Sequence, residues 1–161
     1  MIIQLKLRRV WLAIPEYTQQ YSYFPKTSVA VIIPARNEAK NIKKCLESIL
    51  NQNYPKDLIN IVLVDDYSTD RTLEFARSFE DRSIQVIALE DEAVEESLSP
   101  KKRALNLGIS RTSAKLIITT DADCIAGEDW IRSIVQYYET QEVDMIAGPV
   151  LFDPLNSSFD L

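Results

Sequence analysis

Histidine is absent from this 161-residue sequence, and glycine occurs only 3 times and cysteine twice. Without histidine, no imidazole is available as a general base, and proton abstraction would fall to a carboxylate. With so few glycines, no Gly-rich phosphate loop follows the first apolar run; Pro34-Ala35-Arg36-Asn37-Glu38 stands there instead. Cys45 and Cys124 lie far apart, each in an apolar segment, and read as reduced packing residues rather than a disulfide or a metal pair. A reducing, cytoplasmic compartment is the expectation. No apolar run reaches the ~18 residues needed to cross a bilayer, and no signal-peptide pattern is present. Residues 1–161 are therefore expected to be soluble. The net charge of −6 argues against a nucleic-acid partner, whose phosphates demand a basic surface. An acidic chain that binds a nucleotide diphosphate would enlist a metal cation.

What is present fits one globular domain. The chain is 46% hydrophobic and 26% charged, with no internal repeat. Met1 to Ile14 mixes Trp11 and aliphatic residues with Lys6, Arg8 and Arg9, and no acid precedes Glu16. That mixture suits either a membrane surface, beside an anchor, or a strand or short helix packed on the domain. Residues 1–27 are set apart as an N-terminal extension, and 28–161 as the domain proper.

From residue 28 onward, short β-branched runs alternate with amphipathic segments of helical length. Strands are expected at Ser28–Ile33, Ile59–Val64, Ile84–Leu89 and Leu116–Thr120, with a fifth at Met145–Leu151. Helices are expected at Asn37–Asn51, with Asn37 as N-cap, and at Asp70–Glu80, Pro100–Ile109 and Glu128–Thr140. The acidic stretch Glu90–Glu96 reads as a solvated loop. Uniformly apolar strands alternating with helices imply a mostly parallel sheet covered on both faces. Such sheets bind ligands beyond the carboxyl ends of their strands.

The polar residues concentrate at those ends. Asp121-Ala122-Asp123 follows the fourth run, two carboxylates close enough to act on one hard cation and bridge it to diphosphate oxygens. A turn with a helix-capping Asp is the plainer alternative. Asp65-Asp66 ends the second run; one of the two can accept a hydrogen bond from uracil N3–H or from a ribose hydroxyl. Ser68, Thr69 and Asp70 suit the start of the next helix, and Ser68 also counts among the candidate ligand-binding residues. Pro34, Ala35, Arg36 and Glu38 bring a rigid turn, a guanidinium and a helix start to the end of the first strand. Lys101, Lys102 and Arg103 crowd the first turn of a helix, opposing its dipole unless an anion such as diphosphate, or the acids at 90–96, answers them.

Four stretches taken in order, 29–38, 64–70, 101–109 and 120–123, resemble the family 2 glycosyltransferases, which include cellulose- and hyaluronan-synthase-like enzymes. The resemblance covers roughly residues 28–150. It implies a GT-A fold, a nucleotide-diphosphate sugar donor, most often UDP-linked, and Mg²⁺ or Mn²⁺ held at the D-x-D motif. By that likeness Asp121 lies near ribose or metal, Asp123 binds the metal, and Asp65 or Asp66 reads the base. Pro34, Ala35 and Glu38 line the nucleotide pocket, and Lys101 sits near diphosphate or base.

The family also carries an acceptor half with a Glu-Asp motif, whose Asp is the general base, and often a Gln/Arg-x-x-Arg-Trp motif. Neither is found in this sequence, so the base is expected beyond Leu161 and this polypeptide alone is expected to transfer little sugar. Pro100 stands where a Gly often precedes the Lys. The full-length protein is expected at the cytoplasmic face of the plasma membrane, with an acceptor the sequence does not name. Two other classes share parts of the pattern. A receiver-type phosphoacceptor domain has an acidic pair after its first strand, whereas here a whole strand–helix unit comes before the pair. A sugar-nucleotide pyrophosphorylase should carry the Gly-rich loop that is missing.

Overall fold

The computed structural model describes residues 17, 22–80, 83–92, 99–141 and 143–150. The basic stretch 1–14, most of the acidic stretch 90–96, and Leu151 lie outside them. Four strands, β1 (Val29–Ala35), β2 (Ile59–Asp65), β3 (Ile84–Ala88) and β4 (Leu116–Thr119), form one sheet in the order β3-β2-β1-β4. All three pairings are parallel, with Ala35 opposite Asp65 and Ile32 opposite Thr119. Four helices connect or follow them: α1 (Ile42–Leu50), α2 (Thr72–Arg77), α3 (Pro100–Ser110) and α4 (Trp130–Gln141).

Strand alternation sorts the core into two layers. Val29, Val31, Ile33, Ile61 and Leu63 face one side, where they pack against Ile42, Cys45, Leu46 and Ile49 of α1 and Ile131 and Val135 of α4. Ala30, Ile32, Val62 and Val64 face the other side, against Ala104 of α3. Because both faces are covered, β1 is apolar at nearly every position, as expected for a buried parallel strand.

The order places the topological switch between β1 and β4. The chain steps outward from β1 to β2 and β3, then returns to the far side of β1. There β4 ends early, its last pairing being Ile32–Thr119, so β1 runs three residues further with no neighbour on that side. Thr120 N–H still reaches the Ile32 carbonyl at 3.3 Å. By alternation the Pro34 nitrogen points the same way, into the opening, where an N–H would have no strand partner. Proline carries none, which reconciles it with a central strand.

Three expectations need correction. Asn37 does not cap α1: it adopts φ 57°, and the helix begins at Ile42 after a turn in which Asn41 and Ile42 both donate to the Glu38 carbonyl. The second helix is shorter than Asp70–Glu80, covering only Thr72–Arg77. The expected fifth strand is not formed among its described residues, since 145–150 is irregular, with Met145 85% and Val150 72% exposed. An apolar run without a neighbouring strand has no hydrogen-bond ladder to join.

Candidate functional site

The carboxyl rim of the sheet collects the acidic and basic motifs. Asp65 closes β2 and Asp66 follows it, the Asp66 N–H donating to the Ala35 carbonyl at 2.8 Å and so extending the ladder by one rung. Both side chains are buried, Asp65 at 3% and Asp66 at 4% exposure. Asp65 Oδ2 accepts the Ser68 N–H at 3.1 Å, but Oδ1 of each aspartate lacks a hydrogen-bond partner among the described residues. Buried carboxylate oxygens are nearly always satisfied, so each bare Oδ1 is open to a donor that is not among the described residues.

The loops after β1 and β2 are stitched together. Asn37 N–H donates to Ser68 Oγ at 3.0 Å, and Asn37 Oδ1 accepts Thr69 N–H at 2.8 Å. Glu38 N–H donates to Thr72 Oγ1 at 2.7 Å and Ala39 N–H to Asp70 Oδ2 at 3.2 Å. Asp70 also accepts the Thr72 N–H at 2.9 Å and its hydroxyl, and the hydroxyl bond holds the Asp70 carboxyl below its ordinary pKa. Ser68, Thr69 and Asp70 therefore bind the neighbouring loop. Glu38 is half-buried, and its carboxylate accepts the Asn41 amide at 2.8 Å. Tyr67 adopts φ 55°, a left-handed geometry costly for a bulky residue, at the same rim.

Beyond β4, Asp121-Ala122-Asp123 forms a tight turn closed by the Cys124 N–H to Asp121 carbonyl bond at 3.2 Å. Ala122 is 3% exposed and packs down into the core, which turns both carboxylates outward. The buried Cys45 thiol of α1 lies beneath, donating to the Asp121 carbonyl at 3.7 Å. Burial, with Cys124, Asp123 and Glu38 nearby, pushes the Cys45 thiol up to about 12. The following loop is anchored by Gln52, which donates to the Gly127 carbonyl at 2.6 Å and accepts the Ile131 N–H at 2.9 Å.

One turn of α3 joins the two acidic pairs. Lys101 Nζ lies 2.5 Å from Asp121 Oδ1, and Arg103 Nη2 lies 4.0 Å from Asp66 Oδ1. Arg36, just past β1, brings Nη1 to 3.7 Å from Asp66 Oδ2. Asp66 and Asp121 are therefore each met by a cation from the same turn of α3, at the carboxyl rim of the sheet. Gly108 lets α3 lie this close, because a Cβ there would stand 2.5 Å from Ile32 Cγ2.

The donor set suits a hard divalent cation bound in part by its ligand. Among the described residues no group of three or more His, Cys, Asp or Glu could hold a metal. Asp121 and Asp123 offer two carboxylates in one turn, and a cation such as Mg²⁺ commonly takes one or two protein carboxylates and completes its shell with phosphate and water. A hollow of about 730 Å³ lies at the opposite end of the sheet, lined by Lys26, Thr27, Ser28, Lys115 and Glu139, and none of the rim residues reaches it.

A family model described as Glycosyl transferase family 2 matches residues 30–159. The chain belongs to this family. It is 35% identical over 124 residues to the glycosyltransferase AglE of Haloferax volcanii, covering 77% of this chain and 40% of that protein. To the probable glycosyltransferase YdaM of Bacillus subtilis it is 33% identical over 110 residues, covering 68% and 26%. Among solved structures it is similar to the mannosyltransferase PcManGT of Pyrobaculum calidifontis in complex with GDP-Man and Mn²⁺. The TM-score there is 0.67 at 26% identity, over 88% of this chain and 41% of that one. S. aureus TarS in complex with UDP shares the fold, with TM-score 0.61 at 24% identity over 76% and 38%. This family 2 chain thus has the parallel sheet and flanking helices of a GT-A fold, and it spans about two fifths or less of the length of these relatives.

Sequence reasoning placed Arg103 in a cationic cluster without singling it out. A helix-dipole argument treats Lys101, Lys102 and Arg103 alike, whereas the rotation of α3 on the sheet sends Lys101 to Asp121 and Arg103 to Asp66.

Proposed function

We propose that this chain is the donor-binding portion of an enzyme that transfers a sugar from a nucleotide-diphosphate carrier, UDP-linked by family resemblance, to a hydroxyl acceptor with inversion. The observation that carries the reading is the α3 turn reaching both acidic pairs at the switch point of the sheet. In this reading Pro34, Ala35 and Arg36 form the floor under the nucleoside and Asp65 or Asp66 accepts its N–H groups. Lys101 meets the diphosphate, and Asp121 and Asp123 hold Mg²⁺ or Mn²⁺ through outward-facing carboxylates. The cation supplies electrostatic stabilisation to the diphosphate as it leaves. The Pyrobaculum relative, with GDP-Man and Mn²⁺ bound, supports a nucleotide sugar and a divalent ion in this fold. Neither the carboxylates at the metal turn nor those beneath the nucleoside are free to deprotonate an acceptor, and histidine is absent. The general base is therefore assigned to the acceptor-binding half of the enzyme.

Thermal shift with UDP, GDP, CDP and dTDP, each with and without Mn²⁺, tests the reading. At a hundred times Kd a ligand stabilises by about 2.7 kcal/mol, a readily measured shift. Asp123→Ala should remove the Mn²⁺-dependent part. A chain that no nucleotide stabilises would refute donor binding, and robust transfer by residues 1–161 alone would refute the assignment of the base.

A further inference from the structure

The segment leading into β1 is fastened to the domain on one side and bare on the other. Inward, Glu139 of α4 accepts the Lys26 N–H at 3.2 Å, the Thr27 N–H at 3.0 Å, the Thr27 hydroxyl at 2.6 Å and the Tyr23 hydroxyl. Arg132, about two turns earlier on α4, donates to the Tyr23 carbonyl at 2.7 Å, and Tyr54 donates to the Thr27 carbonyl at 2.5 Å. Exposure alternates accordingly: Thr27 is buried and Tyr23 half-buried, whereas Ser22, Phe24 and Lys26 face water. Phe24 is 81% exposed on a backbone clamped at both neighbours, so its ring contributes little to the fold.

Phe24 also walls a hollow of about 410 Å³, shared with Pro25, Tyr54 and Pro55 and with the cations Lys56 and Arg132. Its lining holds no acid among the described residues, in a chain where acids outnumber bases 24 to 18. The sequence ahead has the same character, with Lys6, Arg8 and Arg9 near Trp11 and no acid before Glu16. A lone projecting ring ringed by cations is too little apolar surface for a stable protein interface. A bilayer, in contrast, accepts single aromatic anchors at headgroup level, and each added cation strengthens its hold on an anionic leaflet. We propose that this face docks on an anionic lipid bilayer, with Phe24 inserted among the headgroups and Lys26, Lys56 and Arg132 set against lipid phosphates. The contact is peripheral, since no helix among the described residues is long and apolar enough to span. Docking at the amino end of β1 leaves the acidic rim, at the carboxyl end, open to water.

The test is flotation of the chain with vesicles of phosphatidylcholine and phosphatidylglycerol in equal parts, against vesicles of phosphatidylcholine alone. The chain should float with the mixed vesicles and not with the neutral ones, and about 1 M salt should release it, because the screening length there is about 3 Å. Phe24→Ser should weaken partitioning by about tenfold and Lys26→Gln by about fivefold. Both side chains are exposed, so far-UV circular dichroism should be unchanged in either variant. The stabilisation by UDP with Mn²⁺ should be unchanged as well, because the rim is remote from this face. Failure to float with anionic vesicles, or equal flotation with neutral ones, would overturn the proposal. Flotation abolished by replacing Lys6, Arg8 and Arg9 with Gln but untouched by Phe24→Ser would place the contact ahead of this face and overturn it too. Self-association in sedimentation velocity that Phe24→Ser removes would assign the face to a second copy of the chain instead.

Discussion

Lys101 Nζ rests 2.5 Å from Asp121 Oδ1, so the chain's own ammonium group meets one of the two carboxylates proposed to hold a divalent ion. The pair is exposed, at 62% and 56%, and such contacts contribute only about 0.2–1 kcal/mol. It therefore obstructs a cation weakly and can be displaced. Lys101→Met should have opposite effects on the two ligands. Mn²⁺ alone, followed by electron paramagnetic resonance, should bind up to about fivefold more tightly, because Asp121 is released from its partner. UDP in the presence of Mn²⁺ should bind more weakly, because the diphosphate loses a charged donor. Movement of both in the same direction would contradict a handover of Lys101 from carboxylate to phosphate.

The alternation of strands and helices, and the gathering of motifs at strand ends, were legible because buried parallel strands must be apolar throughout and the interruptions stand out. The entry to α1 was not. Asn37 has a capping residue's chemistry, but its side chain is engaged by Thr69, thirty-two residues away, and it takes a left-handed backbone that ends β1 instead of starting a helix. The run after residue 144 carries strand-like apolar residues, yet a strand exists only with a neighbour, and Met145 and Val150 stand exposed. The two thiols, distant in sequence, come close enough for Cys124 to help raise the Cys45 thiol, because α1 passes under the Asp121–Cys124 turn.

Those thiols make a reporter of the site. Cys45 is fully buried and its thiol is pushed up to about 12, while Cys124 is half-buried and raised by burial and by Asp123. At pH 8 a disulfide reagent should modify Cys124 slowly and Cys45 only on unfolding, and UDP with Mn²⁺ should slow Cys124 further because it adjoins Asp123. The sign of the pH effect follows from the raised folded value. The contribution of the neutral Cys45 thiol is complete below its unfolded value near 9 and disappears as pH rises toward about 12. Urea titrations should show the native chain losing stability relative to Cys45→Ala across that alkaline window, with a constant difference below it.

Gln52 is the pin beneath the Asp121–Asp123 turn. It is 2% exposed and satisfied at both ends of its amide, by the Ser48 and Gly127 carbonyls and by the Ile131 N–H. Gln52→Leu keeps the volume and removes a hydrogen bond from each of those three backbone groups, of which the Gly127 carbonyl still keeps the Trp130 N–H at 3.0 Å. The expected loss is about 1–3 kcal/mol, read from the urea midpoint. The Mn²⁺-dependent thermal shift should shrink as well, since the loop leading from Asp123 into α4 loses its anchor. A stability loss with Mn²⁺ response unchanged would show that the turn holds its shape without Gln52.

Gly108 sets the distance on which the whole rim depends. A methyl group there would approach Ile32 Cγ2 to 2.5 Å and Val64 Cγ2 to 3.3 Å. Ile32 is fully buried in β1, and its Cγ2 is fixed at the branch point, so it cannot swing aside. Overpacking of this kind costs about 1–3 kcal/mol, more than the helix propensity gained by replacing glycine with alanine. Gly108→Ala should therefore destabilise the fold, and because α3 must lift from the sheet, Arg103 and Lys101 should withdraw from Asp66 and Asp121 and nucleotide affinity should fall. Ile32→Ala removes the methyl responsible. On its own it leaves a cavity and costs stability, but combined with Gly108→Ala it should cost less than the sum of the two, a favourable coupling measurable in a double-mutant cycle. Strict additivity would mean that α3 does not owe its position to this contact.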